Sequence, residues 1–184
     1  MLSEERYVEA GPLLEQAVEM GNATAQLELG NLYKDGNGVE IDPEMSAQLY
    51  MASAAQGNSE AQYMCAESYI SGRGVERSEE KAVEYIKQCA EQGNIKCKAR
   101  LIMIYRSGIG GDVDNEKAIE LAESLASSTI DSDTVVAKVI LRARVNLSRI
   151  YLFGDGAKVD TLEAYKWLLI YNEDKKIFGA RSQG

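Results

Sequence analysis

The sequence predicts an all-α fold, a solenoid of antiparallel helix pairs with about nine helices and a 36-residue repeat, and three observations carry that prediction. The chain resembles itself when displaced by 36 residues: segments 23–58 and 59–94 both end in Gln-Gly-Asn. One tyrosine slot (Tyr33, Tyr69, Tyr105, Tyr151) recurs at spacings of 36, 36 and 46. Behind each tyrosine come a Gly-x-Gly pair, a cap-type residue (Asp42, Ser78, Asp114, Asp160) and, four positions on, a small residue (Ser46, Ala82, Ala118, Ala164).

Each element follows from elementary rules. In Ala25-x-x-x-Leu29-Gly30-x-x-Tyr33, small and apolar residues recur at three- and four-residue steps, one face of a helix. The small slots allow close approach of a neighbour, and the tyrosine fills the gap beside them. The glycine pair ends the first helix, because a positive φ is cheap there. Asp42 caps the second helix with Pro43 in the tolerated first turn, and Asp160 with Glu163 has capping-box spacing. Gly57 and Gly93 end the second helices. A single pair cannot bury its apolar face, so pairs must stack. The expected organisation is one repeat domain over 1–184: an N-terminal capping helix at 5–22, repeats at 23–58, 59–94 and 95–132, and a long-helix repeat with a C-terminal cap at 133–184.

The third unit departs from the pattern. Its helices are expected at 95–107 and 115–127, but no glycine follows the second, and Ser127-Ser128-Thr129-Ile130-Asp131-Ser132-Asp133 stands there instead. Ten extra residues precede Tyr151 and extend the next helix over 134–153, with more apolar residues than one stripe requires. Such a helix is either a partner contact or a packing variation; insertions of this kind are well tolerated in repeat proteins, which favours packing.

Composition narrows function. With 45% hydrophobic and 27% charged residues the chain reads as an ordinary globular protein. A net charge of −9 argues against nucleic acid, which needs clustered cations, and is otherwise read as a solubility feature. No apolar run approaches the roughly eighteen residues of a membrane span, so no insertion is expected. The N-terminus has no signal-peptide pattern, which favours the cytoplasm; a periplasmic or secreted chain with its signal removed would read the same. Without histidine there is no His-based triad and no His-ligated metal, and three cysteines cannot make a four-thiolate zinc site. The Gly-x-Gly pairs lack the strand or Gly-Lys-Ser/Thr context of a phosphate loop and read as helix terminators. The stretch Gly111-Asp112-Val113-Asp114-Asn115-Glu116 lacks the remaining ligands of a calcium loop, and Asp114 sits in the cap slot. No catalytic residue, cofactor or metal site is expected.

The string Ala-x-x-x-Leu-Gly-x-x-Tyr-x-x-Gly-x-Gly-Val, followed by a cap residue and a helix ending Ala-x-Gln-Gly-Asn, resembles the Sel-one-like repeat (SLR) family, relatives of tetratricopeptide repeats, over residues 6–172. The last unit, from Tyr151 through Ala164-Tyr165-Lys166-Trp167, is similar to a bacterial C-terminal copy. Ala66, Ile102 and Ser148 depart from the glycine seen at Gly30.

The resemblance implies a right-handed superhelix acting by non-enzymatic protein–protein interaction, as adaptor or scaffold, with a protein or peptide on its concave face. Immunity against a toxin or effector is the alternative reading. A β-lactam-binding or hydrolysing protein is a second, supported here by no activated Ser or Cys. The first helix of each pair would line the concave face. By repeat offset the groove residues are Asn31, Lys34, Tyr63, Glu67, Ile70, Met103, Arg106, Arg142, Arg149 and Leu152, mildly acidic in the second unit and basic from the third onward. Cys89 and Cys97 have the spacing of disulfide pairs in cysteine-rich bacterial members; they equally fit as small buried fillers, and a cytoplasmic chain favours the reduced state. Cys65, in the Leu29 slot, reads as core.

Overall fold

The computed structural model describes the backbone of residues 4–128 and 134–181; side chains at 4–11, 134 and 176–181 lie outside the description. The boundary expected at 132/133 falls outside the described residues. Among those residues the structure is all helix: α1 (Glu4–Glu19), α2 (Ala23–Asp35), α3 (Pro43–Ala55), α4 (Ser59–Ser71), α5 (Glu79–Glu91), α6 (Ile95–Ser107), α7 (Asn115–Ala126), α8 (Thr134–Phe153) and α9 (Thr161–Arg181). They form two compact units, Met1–Asn94 and Ile95–Gly184.

Within unit 1, α2 packs on α3 and α4 on α5, and α3 joins the pairs by packing on α4. The core is built of Leu27, Tyr50, Ala54, Ala61 and Cys65, with Leu29, Leu32 and Leu49 behind α1. Within unit 2, α6 packs on α7 and α8 on α9, around Leu125, Ile140, Leu147 and Trp167.

One loop geometry recurs in every repeat. The first glycine of each pair is left-handed, and its N–H donates back into the helix: Gly36 to Leu32 O and Gly72 to Ser68 O at 2.8 Å, Gly108 to Ile104 O and Gly154 to Ile150 O at 2.9 Å. The cap residue's N–H then donates to the tyrosine-slot carbonyl. The bonds are Asp42 to Tyr33 (3.0 Å), Ser78 to Tyr69 (3.1 Å), Asp114 to Tyr105 (2.7 Å) and Asp160 to Tyr151 (2.9 Å). This bond explains why tyrosine and cap keep one spacing even where the repeat is interrupted.

The second glycine is no helix terminator. A Cβ at Gly74 would lie 1.9 Å from Pro43 O, so this glycine is where one loop abuts the start of the preceding second helix. One further reading is corrected and another extended. Asp160 accepts from the N–H groups of Leu162 and Glu163 at 3.0 Å, but Glu163 pairs with Lys166 and does not reach back, because Asp160 N–H already serves Tyr151. The asparagine of the Gly-Asn that closes a unit is a cap as well as a repeat end: Asn22 accepts from Ala25 N at 2.9 Å and Asn58 from Ala61 N at 3.1 Å.

The missing glycine after α7 has a replacement. Ser127, right-handed, ends the helix, and Arg144 of α8 supplies donors to carbonyls at that end: Nε to Ala126 O at 2.7 Å and Nη2 to Ser128 O at 2.9 Å. Asp174 of α9 pairs with the same guanidinium, which is buried.

Candidate functional site

The ten groove positions expected from repeat offset divide evenly between the units, and the two sets differ in openness. In unit 1, Asn31 and Lys34 on α2 and Tyr63, Glu67 and Ile70 on α4 are all half-buried. Asn31 is committed to the fold, since Tyr50 Oη donates to its Oδ1 at 2.8 Å. Lys34 pairs with Asp35 at 3.5 Å, and its carbonyl accepts from Arg73 Nη2 at 2.7 Å. Lys34 and Glu67 line a narrow cleft of about 170 Å³ with Tyr50, Met64 and Arg73.

In unit 2, Met103 and Arg106 on α6 and Arg142, Arg149 and Leu152 on α8 are all exposed. Arg106 and Arg149 share a cleft of about 260 Å³ with Asn146, Ile150, Phe153 and Asp155. Arg106 Nη2 donates to Asp155 Oδ2 at 2.5 Å. Among the described residues Lys138, Arg142 and Arg149 are in no ion pair. Repeat offset missed Asn146 and Phe153. The signal was present: from Arg142 they follow at four and eleven residues, with Arg149 at seven, one stripe along a helix.

The electrostatic setting is local. α6 and α8 carry eight of the chain's 20 Lys and Arg residues and none of its 29 acidic ones. These two helices are basic while the chain as a whole carries −9, and Lys138, Arg142 and Arg149 are their exposed cations outside any ion pair among the described residues.

The other sequence candidates resolve into structural roles. Asp114 caps α7, accepting from Lys117 N at 3.0 Å, and a second bond, from Lys117 Nζ at 2.6 Å, does most to hold its carboxyl below the usual range. One spacing that sequence reading did not single out, Ser78-x-x-Lys81, is also a cap: Ser78 Oγ accepts from Lys81 N at 3.3 Å and donates to Glu80 Oε2 at 3.0 Å. No group of three or more metal-ligating side chains occurs among the described residues. No helix among them is long and apolar enough to cross a membrane.

Cys65 is buried in the core of unit 1, a free thiol that desolvation pushes up to about 12. Cys89 and Cys97 are wholly buried and disulfide-bonded. Cys89 Sγ lies 3.1 Å from Ser59 O, in the slot where Ser53 Oγ donates to Ala23 O at 2.6 Å.

Comparison with known proteins agrees with this architecture. The family model of the Sel1 repeat matches residues 23–58, 59–94, 99–129 and 141–170. Among solved structures, a Sel1 repeat protein from Oxalobacter formigenes superposes with a TM-score of 0.78 at 26% identity, covering 92% of this chain and 65% of that one. The protein c5321, a protective antigen of uropathogenic Escherichia coli strains displaying an SLR fold, gives 0.78 at 25% identity, covering 91% and 34%. The chain thus spans about two thirds of the first and one third of the second. No curated protein gives a significant match. With four matched repeats and the same helix-pair architecture, this chain belongs to the Sel1 repeat family.

Proposed function

We propose that the chain is a non-enzymatic interaction module that engages another protein or peptide through the exposed faces of its first helices, most of all α6 and α8. Sel1 repeat proteins are in general protein-interaction modules, and that is the starting point. The observation that carries the reading to these helices is the exposed set of Arg142, Arg149, Met103, Leu152 and Phe153. Arginine, methionine and aromatic side chains are the types enriched where proteins meet. The first helices of unit 1 support the reading less, because their groove positions are half-buried or already bonded.

Affinity capture from the native host tests it, with the partner identified by mass spectrometry and the wild type compared with the Arg106→Glu/Arg149→Glu variant. The expected result is a defined protein held by the wild type and lost from the variant. A partner held equally by both overturns the choice of face. A wild type that retains nothing beyond a control helical protein overturns the module reading itself.

A further inference from the structure

We propose that the α6/α8 cleft takes an acidic segment with apolar anchors from the partner protein, and that Asp155 is the chain's own competitor for the arginine this segment engages. The inference rests on the interaction-module reading and adds the chemistry of the ligand.

Charge complementarity selects the occupant. Lys138, Arg142 and Arg149 stand on one stripe of α8 without ion-pair partners among the described residues, and neither α6 nor α8 carries an acidic side chain to neutralise them. A planar guanidinium pairs best with a carboxylate, which it grips through two parallel N–H bonds. Around this charge lie exposed apolar groups: Phe153 is 70% exposed, Met103 59% and Leu152 47%. Cations flanked by such anchors fit a peptide with acidic and apolar residues better than a phosphate backbone, which needs a longer cationic track on a chain of net charge −9. The cleft, about 260 Å³, has room for a side chain or two and is small for a metabolite pocket.

Asp155 gives the face a built-in control. It sits between Gly154 and Gly156 in the loop after α8, is itself exposed, and its carboxylate accepts from Arg106. It therefore holds the position on α6 that an incoming carboxylate would take. A partner segment must displace it or settle for Arg149 and Arg142.

The test uses the full chain and fluorescent synthetic peptides, one of clustered Glu and Leu, one with every Glu replaced by Gln, read by fluorescence anisotropy at low and high salt. The Glu/Leu peptide is expected to bind and to weaken with salt. Arg142→Gln/Arg149→Gln should weaken it about tenfold, and Asp155→Asn should tighten it about threefold by freeing Arg106. All three substitutions are on exposed side chains, and circular dichroism confirms retained helix. The proposal is overturned if the Gln peptide binds as well, if Asp155→Asn leaves affinity unchanged or lower, or if a duplex oligonucleotide binds more tightly. It is also overturned if sedimentation shows self-association through this face that the peptide does not disrupt. A host partner captured in the preceding experiment while the peptide arms fail leaves the module reading standing and removes only this inference. Peptide binding without any captured host partner does the reverse.

Discussion

Gly30 has no room for a side chain: a Cβ there would lie 2.7 Å from Cε1 of Tyr50, whose ring is wholly buried. The same two slots in later repeats hold Ala66 with Ile86 and Ile102 with Ala122, so the small partner grows as the large one shrinks. The departures at Ala66 and Ile102 are thus compensated substitutions, which one slot read alone does not reveal. Gly30→Ala should destabilise by about 1–2 kcal/mol in urea unfolding, the overpacking of about 1–3 kcal/mol being partly offset by better helix propensity. Gly30→Ala/Tyr50→Ile, which copies the second repeat, should recover at least about 0.5 kcal/mol of that loss relative to additivity. Additive effects would refute the pairing. The cysteines make a second prediction at this scale. With Cys65 buried and its thiol pushed up to about 12, a thiol reagent at pH 8 should label nothing in the native protein. In denaturant without reductant it should label one thiol; three would mean that Cys89 and Cys97 are reduced.

At the scale of the element, the helices were legible because each repeat spells its own start and stop. Glycine and cap residue alternate at fixed spacing, and bounds expected for the long helix, 134–153, agree with α8. What sequence could not show was Arg144. One arginine among the four cations of α8 looks like another solvated side chain, and its role depends on a helix end eighteen residues earlier losing its glycine. Exposure of the groove positions was equally out of reach, since Asn31 and Arg142 occupy comparable helices while only one meets a buried tyrosine hydroxyl. Arg144→Met should cost about 3 kcal/mol, because the carbonyls of Ala126 and Ser128 lose charge-assisted donors and Asp174 loses its partner. Amide hydrogen exchange should localise the faster opening to the end of α7. A uniform loss of protection, or none, would contradict the capping role.

For the molecule as a whole, charge and chemistry point in different directions. A net charge of −9 repels polyanions at long range, yet α6 and α8 concentrate cations with no acidic residue among them. The basic character of these helices could be counted in the sequence. That Arg106 is tethered by Asp155 while Arg142 and Arg149 stand open required the folded geometry. The central claim is that a partner protein contacts the α6/α8 face, and site-specific photo-crosslinking in the native host tests it most directly. A benzophenone side chain placed at Asn146, in the cleft, should give a discrete adduct with a single protein, lost when Arg149→Glu is added; the same probe at Lys87, exposed on α5, should give none. An adduct at Lys87 with none at Asn146, or an Asn146 adduct indifferent to Arg149→Glu, would contradict it.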